Sequence, residues 1–354
     1  MDILELIRTK RFQNSGLIKK FPTVEQCVYE LIGVQSQYFN HAALVICSRV
    51  ANEKKIEDLY SSLDNNQIID IWGQRSTLHF YHIKDWGKII NSFGQTKCWV
   101  KNFCERNSFN YDEELERLSI LFKRHKILTI EQIIELGVEP VLVKNWGGLL
   151  IPLSLQGQIY INRYDPLKPK HYCSRNLISG EPFESNSNSL RDILKRYFST
   201  YGPATYLDFL HWSGLQFKDI KNELKWLHNE FDTYVYDGQV YYYDISDDML
   251  KYDSHKVHLL PKFDPLLVAY KNKSILIDDV YHSLVWKKAG QIEACIFDGN
   301  KFIGTWRYLT KGINLVFYIT VYSKVTSRLK REISDKCLEY AKYMNKNLNR
   351  VIFE

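Results

Sequence analysis

No pair of residues constrains this chain more than Asp237-Gly238. It separates Thr-Tyr-Val-Tyr at 233–236 from Gln-Val-Tyr-Tyr-Tyr at 239–243. Asp-Gly between two β-rich runs signals a two-residue hairpin with both central residues at positive φ. Upstream, Leu190, Ile193, Leu194, Tyr197 and Phe198 form an apolar helical stripe that Tyr201-Gly202-Pro203 breaks. Residues 204–212 read as a second helix and Ser213-Gly214 as a turn. Phe217, Ile220, Leu224 and Leu227 then mark a third helix. Three helices followed by a hairpin is the order of a winged helix, the shape of many DNA readers. The third helix is a poor reader, because Lys218, Lys221 and Lys225 are offset by Asp219, Glu223 and Glu230.

Residues 1–108 repeat that order. Helices are expected near 2–9, 24–33, 41–50 and 53–63, with a further helix from 84 to about 99. Between them, 67–72 and 75–81 flank Gly73-Gln74 as a second hairpin. Arg75, Thr77, His79 and Tyr81 would share one face of its second strand, and Leu78 and Phe80 the other. A polar face with Arg and His can meet phosphate, although an ordinary solvated hairpin shows the same pattern. Thr23 with Gln26 forms a capping-box pattern, and Gly33 stands where a helix end wants a left-handed residue. Asn40 is placed to cap a helix starting at His41. That leaves Val34-Gln-Ser-Gln37 as a non-helical joint. In an extended joint Gln35 and Gln37 project to one side; in a helical one they point apart. Glutamine is neither base nor nucleophile, but its amide both accepts and donates, so a convergent pair can hold a water. A pair of solvated loop glutamines is the plainer alternative.

Residues 109–182 form a smaller unit. It has a helix at 112–125, a capping box at Thr129 and Gln132, a stop at Gly137 and a strand at 158–162. Residues 165–169 read as loop and 179–189 as linker. From 246 onward strands are expected at 257–260, 274–277, 282–286, 291–297, 301–306 and 315–321. So many short strands suggest a small barrel or sandwich. Lys271, Lys273, Lys287 and Lys288 would sit near strand ends, where they can track a DNA backbone or be merely solvated. In the last helix, Leu329, Ile333, Cys337, Ala341 and Met344 share a packing face.

The net charge of +6 is compatible with nucleic acid without requiring it. The seven cysteines contain no Cys-x-x-Cys pair, and the ten histidines are not grouped at ligand spacing, so neither a disulfide framework nor a metal is expected. Apolar runs stay short of membrane length and the N-terminus lacks a signal-peptide layout, which leads us to expect a cytoplasmic protein with no membrane partner and no cofactor.

Gly33-Val-Gln-Ser-Gln37, the alanine-bearing helix ending in Ser48-Arg49, and Arg75-Ser-Thr-Leu-His79 together resemble the AlkZ/YcaQ-like family of DNA glycosylases. Tyr201-Gly-Pro-Ala-Thr205 with Trp212-Ser-Gly214, Leu259-Leu-Pro-Lys-Phe-Asp-Pro265, and Gly299-Asn-Lys-Phe-Ile-Gly-Thr-Trp306 extend the resemblance to the whole chain. The chain carries the Gln-x-Gln rather than the Gln-x-Asp form of the family motif. The resemblance implies an α+β fold of three tandem winged-helix modules (1–108, 109–182, 183–247) followed by a small C-terminal β-barrel with a terminal helix (248–354). It also implies duplex DNA with alkylated bases as partner, possible unhooking of interstrand crosslinks, and Gln35 and Gln37 as catalytic residues. Arg75, Thr77, His79, Lys271, Lys273, Lys287 and Lys288 are the candidate DNA contacts, and a monomer is expected.

Chemistry agrees with that resemblance. An N7- or N3-alkylated purine is cationic and leaves as a neutral base, so no general acid is needed. The enzyme must place a water and stabilise an oxocarbenium-like sugar, which amide dipoles can do for an activated leaving group. The competing reading is a non-catalytic winged-helix regulator.

Overall fold

A computed structural model of the chain describes residues 3–51, 55–94, 98–162, 169–178, 188–244 and 255–354. The strands in chain order are β1 (Val34–Gln35), β2 (Ile68–Trp72), β3 (Leu78–His82), β4 (Ile127–Leu128), β5 (Ile159–Asn162), β6 (His171–Ser174), β7 (Asp232–Tyr236), β8 (Gln239–Tyr243), β9 (Val257–Leu260), β10 (Ala294–Asp298), β11 (Lys301–Lys311), β12 (Asn314–Val321) and β13 (Asn347–Phe353). They form a six-stranded sheet in the order β1-β3-β2-β5-β6-β4, a five-stranded sheet β13-β12-β11-β10-β9, and the β7-β8 pair. The first sheet therefore draws strands from both 1–108 and 109–182.

Two hydrophobic cores hold these sheets. One unites side chains from the first hundred residues with Ile193, Tyr197, Phe198 and Trp212, and with Leu260, Ile296 and Ile333 of the C-terminal part. The other packs Leu118, Phe122, Ile133, Leu150 and Ile161 against Trp72 and Leu78 at the tip of the β2-β3 hairpin. Buried ion pairs cross-brace the first core. Both carboxylate oxygens of Asp264 accept from Arg49, at 2.9 and 2.7 Å, and Arg49 Nε also donates to the Ser15 carbonyl at 2.8 Å. Arg11 donates from Nε to the Pro203 carbonyl at 2.9 Å and lies 3.6 Å over the ring of Tyr270.

Local chemistry explains most element ends. Thr129 and Gln132 form the expected capping box, and Thr23 accepts from the Gln26 amide. Asp237 and Gly238 have φ of 49° and 68°, as the β7-β8 turn requires. Gly33 has φ 95°, and a Cβ there would lie 2.6 Å from the ring of Tyr81. Buried residues of the last helix, Ser327–Tyr343, include Leu329, Ile333, Cys337 and Ala341.

Several expectations need correction. Among the described residues the C-terminal sheet is open, with β9 and β13 at its two edges, so the expected barrel is not confirmed. The helix Ser327–Tyr343 crosses over so that β13 joins β12 in parallel, which leaves β9 unmatched at the other side. The expected strand at 282–286 is instead the short helix His282–Val285, preceded by a 3-10 turn Asp279–Tyr281, and 274–277 is turn. There Asn272 accepts from the Ser274 amide and Ser274 donates to Asp279, local bonds that compete with a sheet ladder. The third helix of 190–245 is split into Phe217–Ile220 and Leu224–Glu230. Tyr38, not Asn40, occupies the cap position, and the helix begins at Phe39. Residues 165–168 of the expected loop and 179–187 of the expected linker lie outside the described residues.

Two buried histidines and a half-buried one give the fold an acid limit. The ring of His41 accepts the Lys262 amide at Nδ1, 3.2 Å away, and burial depresses its pKa to about 3. Burial lowers His79 equally, to about 3, and His258 well below its usual value. Between pH 3 and about 6.5 the unfolded chain binds more protons at these rings than the folded one. The stability they contribute is complete above that range and is lost as pH falls through it. Urea midpoints are expected to drop between pH 7.5 and 5, with a shallower slope in His41→Asn; a midpoint flat over that range would contradict this.

Candidate active site

The Gln-x-Gln motif is clamped at the backbone. β1 runs antiparallel to β3, with Val34 opposite Phe80 and Gln35 opposite His79. The Ser36 amide donates to the Leu78 carbonyl at 2.9 Å, and its hydroxyl donates to Asp70 of β2. Both Ser36 and Asp70 are fully buried. The middle residue of the motif is thus its anchor, which the sequence reading passed over. The available signal was a lone carboxylate in the apolar run Ile68-Ile69-Asp70-Ile71.

The two glutamines have different surroundings. Gln37 is half-buried and lines a cavity of about 570 Å³. The cavity lies between the hairpin connection and the second core, with Trp72, Trp99, Trp146 and Tyr172 on its walls. Trp146 is 77% exposed, and its loop holds three consecutive left-handed residues, Trp146, Gly147 and Gly148. A Cβ at Gly147 would meet Trp72 at 2.5 Å, so the loop can approach only as glycine. Gln35 is nearly buried, at 8% exposure, and its Oε1 accepts from Arg75 Nη2 at 3.5 Å.

Arg75 departs from its expected place on the second hairpin strand. The connection from Gly73 to Thr77 bonds to itself, Gly73 to Thr77 at 3.1 Å, with Arg75 and Ser76 at φ of 55° and 54°. β3 therefore starts at Leu78, and Arg75 and Thr77 line the cavity instead. His79 and Tyr81 do occupy β3, but at 2% and 0% exposure they form an interior face, not an outward polar one. His79 Nδ1 bonds the Thr77 carbonyl at 2.9 Å, and Tyr81 donates to Gln74.

Arg75 also packs on the third unit. A Cβ on Gly214, after the helix Tyr206–Ser213, would sit 3.0 Å from Arg75 Cγ. That helix carries His211, whose pKa is lowered by burial and then by the charges of Arg75 and Lys273. Lys273 is lowered by burial and by Arg75, and its Nζ stands 4.8 Å over the ring of Trp286. Asp208 accepts from the Lys271 amide at 2.8 Å and so fixes the 271–273 segment against the same helix. Arg75 and Lys273 thus form a pair of cations beside Gln35, with His211 held toward its neutral form between them and Lys271 exposed next to it. Lys287 and Lys288 are exposed on the 3-10 turn Lys288–Gly290 and its cap rather than at a strand end. Gln291, after that turn, accepts from the Tyr38 hydroxyl at 3.0 Å, tying the turn to the residue that follows the motif.

The hairpin thus holds the two amides beside a cavity and exposed cations, and comparison with known proteins gives the family. The chain belongs to the AlkZ-like family of DNA glycosylases, whose model matches residues 28–343. Its fold is similar to that of the Streptomyces sahachiroi DNA glycosylase AlkZ, with a TM-score of 0.83 at 18% identity over 100% of both chains. A comparison with curated proteins finds no match. Membership places the chain among hydrolases of N-glycosyl bonds in DNA.

Proposed function

We propose that this chain is a monofunctional DNA glycosylase that releases cationic N7- and N3-alkylated purines, and that Gln35 and Gln37 position the hydrolytic water at C1′ of the damaged nucleotide. The observation that carries this reading is the position of the motif. Gln37 borders a cavity of drug-sized volume, on a joint held by Ser36, Asp70 and Leu78, with Gln35 beside the cation pair. A fixed dipole needs no reorganisation when positive charge develops on the sugar, and a cationic base leaves without a proton donor. His79, held neutral by burial and bonded to backbone, supports Thr77 and supplies no acid. Duplex DNA would lie across Arg75, Thr77, Lys271, Lys273, Lys287 and Lys288, bound by a monomer whose helix-then-hairpin units serve as winged-helix scaffold. The open cavity wall near Trp146 also leaves room for crosslinked purines.

The test is base release from duplex DNA carrying 7-methylguanine, with a Gln35→Ala/Gln37→Ala double variant in parallel. We expect release by the wild type, none above background by the variant, and similar DNA affinity for both. Wild-type DNA binding without release of either this base or a crosslinked purine would favour the regulator.

The exposed lysines should act through charge alone. Lys287→Gln/Lys288→Gln is expected to weaken duplex binding for damaged and undamaged DNA alike, and to reduce the slope of log affinity against log salt by about two. An unchanged slope would remove these two residues from the DNA path.

A further inference from the structure

We infer that Arg75 is a positioning residue that seats a phosphodiester oxygen of the damaged strand and, through the same guanidinium, sets which end of the Gln35 amide faces the reaction. The inference rests on the glycosylase reading above and adds an assignment of roles to the two glutamines.

The first observation is an arginine without an acid. Arg75 is half-buried, and no ion pair to a carboxylate appears for it, Lys271 or Lys273 among the described residues. Its Nε is buried with no hydrogen-bond partner. The nearest acid on the facing helix, Asp208, is already occupied: it accepts the amides of Thr205 and Lys271 at 2.9 and 2.8 Å and pairs with Arg11 at 3.7 Å. Holding a partly buried charge with no counter-charge is costly, and here Lys273 adds like charge, while burial and these two cations push His211 toward its neutral form. An anion delivered from outside would relieve both cations. The polymer that this enzyme family acts on carries one at every nucleotide, and a guanidinium fork suits its geometry.

The second observation is the bond to Gln35. Guanidinium has only donors, so the amide end that Arg75 Nη2 meets must be the carbonyl oxygen, Oε1. With that oxygen engaged, Gln35 presents its NH₂ group toward the site. It can then donate to the water oxygen or to another acceptor, while its oxygen, already drawn on by a guanidinium, is the poorer of the two amide oxygens for accepting the water proton's hydrogen bond. That acceptor falls to Gln37, whose side chain lines the cavity. The two amides are therefore not interchangeable: Gln35 orients by donation and Gln37 by acceptance. Phosphate on the remaining N–H groups would stiffen Arg75 and with it the Gln35 amide, so that strand binding and water alignment are one event.

The strained backbone fits this double duty. Arg75 sits at φ 55° in a loop closed on itself, against Gly214, where any Cβ would crowd its side chain. Residues held in that region are retained where their side chain has a fixed task.

The test uses the full-length protein, a 7-methylguanine duplex, single-turnover release at saturating enzyme, and the salt dependence of binding. Arg75→Gln is expected to lower the salt slope by about one and the single-turnover rate at least tenfold. Arg75→Lys keeps a charge but not the fork; it should restore the salt slope while leaving the rate at least fivefold low. An unchanged slope in Arg75→Gln would overturn the phosphate seat, and a wild-type rate in Arg75→Lys would overturn the amide assignment. Failure of the glycosylase reading would look different, since the wild type itself would release no base while the binding slopes still reported on the seat. Circular dichroism and melting of each variant separate these effects from misfolding.

Discussion

Asp264→Ala is expected to lose about 3–5 kcal/mol of stability, the cost of stranding one member of a buried ion pair. Arg49 and Asp264 are both fully buried and joined by two hydrogen bonds. Asp264 also caps the helix Pro265–Val268 through the Leu266 amide at 3.0 Å, a bond lost with the same substitution. The pair spans 215 residues and joins the helix after the Gln-x-Gln motif to the C-terminal sheet. A domain is typically stable by only about 5–15 kcal/mol, so the loss should appear in urea unfolding as a large fall in midpoint. Arg49→Met/Asp264→Leu should recover much of it, because an apolar pair of similar volume removes the stranded charge. A single variant within about 1 kcal/mol of wild type would show that solvent reaches Arg49.

What could be read from the sequence follows from the range over which each force acts. The Asp237-Gly238 turn and the Thr129 capping box depend on a few neighbouring residues and are found where their chemistry put them, whereas the left-handed stop begins one residue before Gly33, at Ile32. The packing face of the last helix was legible because burial imposes its period. β13 was missed because it is an edge strand whose side chains are half or fully exposed, so no alternation marks it. Its partner β12 lies across an intervening helix. At the site, the motif itself was legible by resemblance. Its clamp, Ser36 on Asp70, and the Arg75 bond to Gln35 span 34 and 40 residues and exist only once the hairpin has folded. Arg75 was misplaced onto a strand because two residues at positive φ in Arg-Ser leave no mark of the kind glycine or asparagine would. His211 carried no signal at all; only the packing of its helix on the hairpin connection brings it near Arg75.

Gln37→Ala is expected to cost about 10²–10³ in the single-turnover rate of 7-methylguanine release, the scale seen when one preorganised polar group is removed from a reaction centre. The loss should fall on the chemical step and leave DNA affinity unchanged, since Gln37 carries no charge to exchange with phosphate. The pH profile gives an independent reading. An amide does not titrate, and His79, the imidazole opposite Gln35, is held neutral with its pKa depressed to about 3. The wild-type rate should therefore be level from pH 5.5 to 8.5, whereas a histidine base would impose a limb near 6.5. Gln37→Asp, which converts the motif to the Gln-x-Asp form, keeps an acceptor and adds a base. It should retain activity but acquire an acid limb near pH 4, where the new carboxylate gains its proton. The contrast is between an acceptor that cannot change state and one that can. A wild-type profile that falls with a pKa between 5 and 7 would mean that a titrating group other than the two amides activates the water. An alanine variant as fast as wild type would move the water away from Gln37 altogether.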